Sequence, residues 1–383
     1  MVSQPLVPCM PDILSSPSLH DVLRQRVPRV WVTHVLVAIN LLVYLAMLVQ
    51  GGGLWHSANG VALAWGANFA PATQDGQWWR LISAMFLHFG LPHLLMNLWA
   101  LWDGGQLVER MYGHLRFALL YFFSGVAGNL LSLVIHHDPV VSGGASGAIF
   151  GVYAALLVCL WRERLSLQPH EFRWLFFGAA GFAGASTVLG LLLTGIDNAA
   201  HIGGFVAGLL AGIGLVRPVV AMDEVPRRPQ LMAGALSAVA VLLLISRIPA
   251  PAYRWSEEAM TRQALGRFIE VDAEARGAWQ DIMSEARRGG ISFDELAGRI
   301  DSTVGNSYAE SFEQLSQLPV NPSMPSANSL EVLRHYAQLR RDASRGMAEG
   351  LRHNDPRKMR EAMALDSQSR ALLGRAAGNG KTE

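Results

Sequence analysis

The sequence has little of what several kinds of functional site require. Its 383 residues include only two cysteines, Cys9 and Cys159, which are too few for a disulfide framework and do not have metal-motif spacing. Charged residues make up only 16% of the chain, and a formal net charge of +1 gives no sign of a nucleic-acid partner. The apolar–polar alternation of half-buried strands is absent as well. These absences favour an apolar, helical protein.

Long apolar runs fill the chain up to about residue 249. Most of them approach the roughly 20 residues that a helix needs to cross about 30 Å of hydrocarbon. The predicted spans are 31–50, 91–109, 115–135, 146–161, 173–193, 199–216 and 231–248. The last run has no polar face, which argues against the alternative of an amphipathic surface helix. The sequence therefore predicts an all-α polytopic membrane protein: a six-helix bundle, one additional C-terminal transmembrane helix and a soluble helical tail.

The distribution of arginine predicts the orientation of these spans. Arginines are concentrated before the first span and in alternate connections: Arg24, Arg26, Arg29, Arg110, Arg116, Arg162, Arg164, Arg173, Arg217, Arg227 and Arg228. The positive-inside rule places these segments, and the N-terminus, in the cytoplasm. The predicted segments are a cytoplasmic tail 1–30, a six-helix core 31–216, a cytoplasmic linker 217–230, a seventh helix 231–249 and a soluble region 250–383 outside the cytoplasm.

The C-terminal region has the charged composition of a soluble helical protein, and about four helices are expected in it. Ser292 with Glu295, and Asn328 with Glu331, are predicted capping boxes, and Asp355-Pro356 is a predicted helix start. Its histidines are isolated and its charges are mixed, so no chemistry is predicted there.

Two glycine-rich segments place a serine and a histidine at the outer ends of predicted spans. Ser146 begins the fourth span in VSGGASGAIFGVYAALL, and His201 lies near the start of the sixth in DNAAHIGGFVAGLLAG. Small residues recur every fourth position along both spans: Gly147, Gly151 and Ala155, and Gly204, Gly208 and Gly212. Such stripes let membrane helices approach closely, so we expect these two spans to pack together.

A serine hydroxyl is a weak nucleophile until a base within hydrogen-bond reach activates it. His201 is the candidate base for Ser146. His93 and Asn97, four residues apart near the outer end of the second span, and the Ser146 N–H are candidate oxyanion donors. Asp197 is interpreted as an N-cap, so a Ser–His dyad is predicted rather than a triad. Taken singly, each polar residue is also compatible with ordinary hydrogen bonding between helices.

The order of the motifs over about residues 31–216 resembles the rhomboid intramembrane serine proteases. The matching elements are Trp79-Arg80, the set His88, His93 and Asn97, the segment Glu109 to Gly113, the segment Gly143 to Gly147, and the segment Asn198 to Gly204. The resemblance implies a rhomboid-like bundle with Ser146 as nucleophile and His201 as general base. It also implies that His93 and Asn97 join the Ser146 amide in the oxyanion hole.

Further residues have supporting roles by the same resemblance. They are His88, which would order a loop, Phe150, which would stack on the catalytic imidazole, Gly144 and Gly204, which would help shape the site, and Asn198, which precedes the histidine motif. The expected substrates are single-pass transmembrane proteins in the lipid bilayer, with no cofactor and no metal. The expected location is a bacterial inner membrane; no oligomeric state is predicted.

Alternative functions depend on other features. A metalloprotease would need His88, His93 and His201 as ligands, yet H-E-x-x-H is absent, and histidines five residues apart do not share a helix face. A non-catalytic relative that binds or routes membrane clients would be expected to lack the serine or the histidine. A transporter would be expected to show an inverted repeat or a charged pair at the membrane midplane, and neither is visible.

Overall fold

The computed structural model describes residues 18–136, 140–220 and 225–379. The chain divides into two compact units, Met1–Ala250 and Pro251–Glu383, each with its own apolar core. Parts of four predicted segments lie outside the described residues: 1–17 of the N-terminal tail, with Cys9, 137–139 of the six-helix core, 221–224 of the linker and 380–383 of the C-terminal region.

The first unit is built mainly of helices, as predicted. In chain order they are α1 (Leu19–Arg26), α2 (Trp31–Val49), α3 (Asn59–Ala64), α4 (Ala70–Gln74), α5 (Arg80–Ser83), α6 (Leu91–Tyr112), α7 (His114–Ile135), α8 (Ser146–Glu163), α9 (Pro169–Leu192), α10 (Asn198–Leu215) and α11 (Arg227–Ser246). Among the described residues, 6 helices are long and apolar enough to cross a membrane. A seventh is added if the segment Arg80–Phe86 and α6, which are bent by 94°, form one broken span.

Two helices begin earlier than the apolar runs predict. α9 begins at Pro169 and α11 at Arg227, each within a polar segment that precedes its apolar run. Polar residues can continue a helix beyond the hydrocarbon layer, and proline fits the first turn, where a missing N–H breaks no intrahelical bond. Hydrophobicity therefore marks the membrane-embedded part of these helices rather than their ends.

A short pair of strands was not predicted. β1 (Asn68–Phe69) pairs antiparallel with β2 (Val141–Ser142), and Asn68 lies opposite Ser142. Strands of two residues are too short to show the apolar–polar alternation by which a strand is recognised in a sequence. The pairing connects the segment between α2 and α6 to the residues immediately before α8.

The predicted packing of the fourth and sixth spans is confirmed. A Cβ atom on Gly204 would lie 1.9 Å from the carbonyl oxygen of Gly147, and one on Gly208 would lie 2.3 Å from the Cα of Gly151. No side chain fits at either position unless the backbones of α8 and α10 separate. The glycine stripes thus hold the helix that begins with Ser146 directly against the helix that carries His201.

Two buried glutamates accept backbone hydrogen bonds from distant segments. Glu109 of α6 accepts hydrogen bonds from the backbone N–H groups of Val32 and Thr33, at 3.0 and 2.8 Å, and so satisfies free donors at the start of α2. Glu163, at the end of α8, accepts from the N–H groups of Val219 and Val220, each at 3.0 Å. Both carboxylates stabilise the bundle by joining segments distant in sequence.

The second unit contains α12 (Trp255–Arg288), α13 (Phe293–Arg299), α14 (Asn306–Ser316), α15 (Ala327–Arg352) and α16 (Pro356–Asn379). A π-helical segment, Ile300–Gly305, joins α13 and α14 into one continuous stretch, so the unit has four helical stretches, the number expected. At its core, Asp272 accepts hydrogen bonds from the hydroxyls of Tyr308 and Tyr336, at 2.8 and 2.9 Å. Burial, assisted by the nearby Asp272, raises the pKa of Tyr336 to about 12, so this hydroxyl remains a donor.

Two of the three predicted helix starts in this unit are confirmed. Ser292 accepts from the N–H of Glu295 at 3.2 Å, and Asp355 accepts from the N–H of Arg357 at 2.9 Å. The prediction for Asn328 was wrong, because α15 begins at Ala327 and Asn328 lies within its first turn. The Ser326 hydroxyl before it donates to buried Glu258 at 2.7 Å, so a tertiary contact accompanies the start of this helix.

Candidate active site

The structure brings Ser146 and His201 into hydrogen-bonding distance. Ser146 is the first residue of α8, and His201 lies in the first turn of α10. The Nε2 atom of His201 is 2.9 Å from the Oγ atom of Ser146. A neutral imidazole nitrogen at this distance can accept the hydroxyl proton, which is the arrangement that nucleophilic catalysis by serine requires.

Aromatic stacking orients the imidazole. The ring of Phe150, one turn into α8 after Ser146, stacks on His201 with a centroid separation of 4.3 Å and an interplanar angle of 13°. His201 is buried, and within the described residues its Nδ1 atom has no hydrogen-bond partner. Packing, rather than a directly bonded carboxylate, therefore holds the ring against Ser146.

Gly144 allows His93, near the start of α6, to lie close to Ser146. Its φ of +142° lies outside the range that most L-residues adopt, and a Cβ there would lie 2.9 Å from the Nε2 atom of His93. The same Cβ would lie 3.7 Å from the Ser146 Oγ atom. Gly144 thus lies between His93 and Ser146, and a glycine at this position leaves the imidazole of His93 room beside Ser146.

Asn97 is buried one turn below His93 on α6. Its side-chain amide nitrogen donates a hydrogen bond to the carbonyl oxygen of His93 at 2.9 Å. The amide carries a second N–H, so Asn97 can brace the first turn of α6 and still donate to a developing oxyanion.

The Asn97→Ala variant is expected to lose on the order of 10²-fold or less in kcat, because the other oxyanion donors remain. The matched control is Asn40→Ala, since Asn40 makes the same amide-to-carbonyl bond, to Leu36 at 2.8 Å, on α2. Cleavage kinetics with a transmembrane model substrate, normalised to folded protein, measure the difference. An Asn97 variant as inactive as the dyad variants, or one equal to the Asn40 control, contradicts the oxyanion role.

The remaining predicted residues lie around the dyad rather than in contact with it. His88 is fully buried, and its ring centroid is 5.0 Å from that of His93. Asn198 begins α10 and packs against α9, where a Cβ atom on Gly190 would lie only 2.3 Å from the Oδ1 atom of Asn198. Gly204 is at the α8–α10 contact. Within the described residues, His88, His93 and His201 form no group that could hold a metal ion.

Sequence reasoning missed a polar cluster next to the dyad. Asp197 caps α10 by accepting from the N–H of Ala200 at 2.9 Å, which confirms the predicted N-cap. Its other carboxylate oxygen accepts from the hydroxyls of Ser132 on α7 and Ser142 on β2, at 2.5 and 2.6 Å. No spacing in the sequence signals these contacts, because the partners are 65 and 55 residues away.

Comparisons with known proteins support the family that the motifs suggest. A family model described as a rhomboid domain matches residues 75–218, a range that contains Ser146 and His201. Rhomboid protease AarA of Providencia stuartii is 30% identical over 204 residues, which cover 48% of this chain and 72% of that protein. The chain belongs to the rhomboid family. It is therefore an all-α polytopic membrane protein, as predicted.

Other rhomboid relatives are matched over smaller shares of their length. Rhomboid protease GluP of Bacillus subtilis is 35% identical over 246 residues, 62% of this chain and 45% of that protein. RHOMBOID-like protein 9, chloroplastic, of Arabidopsis thaliana is 35% identical over 153 residues, 39% of this chain and 34% of that protein. The chain thus spans less than half of the length of either relative.

Proposed function

We propose that this rhomboid is an intramembrane serine endopeptidase that cleaves transmembrane proteins with a Ser146–His201 dyad. The observation that carries the proposal is the 2.9 Å contact between His201 Nε2 and Ser146 Oγ. The contact lies at the starts of two helices whose backbones touch, inside a rhomboid domain. The relatives named as rhomboid proteases support the same activity.

The geometry fits acyl transfer in two steps. The Nε2 atom of His201 takes the proton of the Ser146 hydroxyl as the oxygen attacks the carbonyl carbon of the scissile bond. The negative charge that develops on the carbonyl oxygen is stabilised by the Ser146 N–H, His93 and Asn97. The imidazolium then donates its proton to the leaving amine, and a water molecule, activated by the same imidazole, hydrolyses the acyl-enzyme.

The position of the dyad favours a substrate segment that is locally extended. A transmembrane helix uses its own carbonyl groups in intrahelical hydrogen bonds, so a helical peptide bond is shielded from a nucleophile. Ser146 lies at the start of α8, near the predicted outer edge of the hydrocarbon layer. A substrate helix can unwind there at lower cost than at the membrane centre, because its backbone groups can bond to water. We propose single-pass proteins as substrates, because a single span can enter the bundle without the displacement of other spans of the substrate.

Reconstitution tests the proposal. The purified protein in liposomes should cleave a fluorogenic single-pass substrate, a fluorophosphonate should stop cleavage by modifying Ser146, and a chelator should have no effect. Inhibition by the chelator would point to a metalloprotease. Binding of the substrate without cleavage, in protein shown to be folded, would point to a non-catalytic relative that routes membrane clients.

We also propose seven spans, with the N-terminus in the cytoplasm and the region from residue 250 onward outside it. The arginine distribution and the apolar helix α11 support this orientation. Alkaline phosphatase fused after residue 383 should be active in a bacterial host, and green fluorescent protein at the same position should be dark. Fusions after Pro226, before α11, serve as the control and should give the reverse pattern. Inactive phosphatase and fluorescent green fluorescent protein after residue 383 would show that the C-terminal region is cytoplasmic.

A further inference from the structure

The carboxylate of Asp197 connects three elements around the dyad. One oxygen caps the start of α10 through the N–H of Ala200, at 2.9 Å. The other accepts hydrogen bonds from Ser132 on α7, at 2.5 Å, and Ser142 on β2, at 2.6 Å. Both serines are buried, so each hydroxyl needs a partner inside the protein.

These contacts form a closed path between the nucleophile and the base. Ser142 precedes Ser146 by four residues, and Asp197 precedes His201 by four residues as well. The backbone N–H of His201 donates to the carbonyl oxygen of Asp197 at 3.1 Å. The Ser142–Asp197 hydrogen bond and the His201–Ser146 hydrogen bond therefore join the same two segments at two points.

The second carboxylate oxygen does more than helix capping requires. A cap needs one acceptor, and asparagine caps a helix as well as aspartate does. Accepting two short hydroxyl hydrogen bonds on one oxygen is favoured by a negative charge, because charge-assisted hydrogen bonds are shorter and stronger than neutral ones. The segment before Ser146 is also held by pairing with β1 and by the N–H of Gly144, which donates to Ala84 at 2.8 Å. Asp197 adds the connection to the helix of the base.

We infer that Asp197 is a positioning residue that, through Ser142 and Ser132, holds the Ser146 hydroxyl in register with the His201 imidazole. The inference rests on the proposed function, since it assigns a further residue to the same reaction. A displacement of about 1 Å at a reacting atom can cost about 10²-fold in rate, so loss of the carboxylate is expected to matter even though Asp197 touches no substrate.

The Asp197→Asn variant separates positioning from capping. It keeps the N-cap, so its melting temperature should fall no more than that of the control variant described below, whereas the rate at which a fluorophosphonate probe labels Ser146, per folded molecule, should fall about tenfold or more. With a transmembrane substrate, kcat should fall more than KM rises. The double variant Ser132→Ala/Ser142→Ala should lose a similar amount, and adding Asp197→Asn to it should cost little more, because residues that act as a unit are not additive.

Glu163→Gln is the matched control, because Glu163 is a buried carboxylate that joins the opposite end of α8 to the segment after α10. It should lower stability and leave the labelling rate per folded molecule unchanged. Wild-type labelling with equal labelling of Asp197→Asn and of the double serine variant overturns this inference alone. A loss that follows only the folded fraction, as in the control, overturns it as well. Absence of wild-type labelling overturns the proposed function, and this inference with it.

Discussion

Replacing Ser146 with alanine is expected to reduce cleavage by about 10³-fold or more, to the detection limit of most assays. The change deletes one oxygen atom, the one that attacks the scissile carbonyl in the proposed mechanism. It does not remove a helix cap, because Ala145 occupies the N-cap position of α8 and makes no side-chain hydrogen bond there. Loss of the bond to buried His201 should cost about 1–3 kcal/mol of stability, and the protein is expected to stay folded.

The comparison that checks this result is cleavage of one model substrate by wild type, Ser146→Ala and Ser237→Ala in the same liposomes. Ser237 also lies on an apolar helix, α11, where its hydroxyl donates to the carbonyl oxygen of Ala233 at 2.8 Å. The control should retain wild-type activity. Full activity of Ser146→Ala would end the interpretation of this protein as a serine protease.

The second large effect is expected from His201→Ala, which should be about as damaging as the serine change. Without the imidazole, the Ser146 hydroxyl keeps its ordinary weak nucleophilicity, and the leaving amine receives no proton. The double variant Ser146→Ala/His201→Ala should be little worse than either single variant, because each change disables the same unit.

His34→Ala is a suitable control for loss of an aromatic contact, since the imidazole of His34 packs against Trp102 with a centroid separation of 4.9 Å. Its activity should remain close to that of wild type. His201→Gln tests whether the cavity next to Phe150, rather than the missing base, causes the loss, and it should be equally inactive. If the losses in the two single variants multiply in the double variant, Ser146 and His201 do not act together.

Local sequence patterns were sufficient for the long apolar helices. Crossing a membrane depends on the length of an apolar run, so the apolar spans follow from composition alone, as α2, α7, α8, α9, α10 and α11 show. The contact between α8 and α10 was also predictable, because only small residues at every fourth position permit backbones to touch. The capping residues Ser292 and Asp355 bond to N–H groups within one helical turn, so short sequence patterns were enough to predict them.

Predictions that depend on distant partners were missed or wrong. Asn328 has the spacing of a capping box, yet the contact of Ser326 with Glu258, 68 residues earlier, accompanies a different helix start. The β1–β2 pair involves only two residues on each strand, so no local propensity marks it. Tertiary contacts override local preference in both cases, because burial of a polar group requires a partner wherever the fold supplies one.

The candidate site divides in the same way. By itself, the sequence predicted which residues carry the proposed chemistry, since a serine and a histidine on two helices built for close contact predict a dyad. The family resemblance also implied that Phe150 stacks on the imidazole and that Gly144 shapes the site. Only the tertiary structure decided the distances of these contacts, that Gly144 makes room for His93, and that Asp197 is joined to Ser132 and Ser142. These contacts depend on angstrom-scale distances between helices and loops 50 or more residues apart, which packing sets and which periodicity along one helix does not encode.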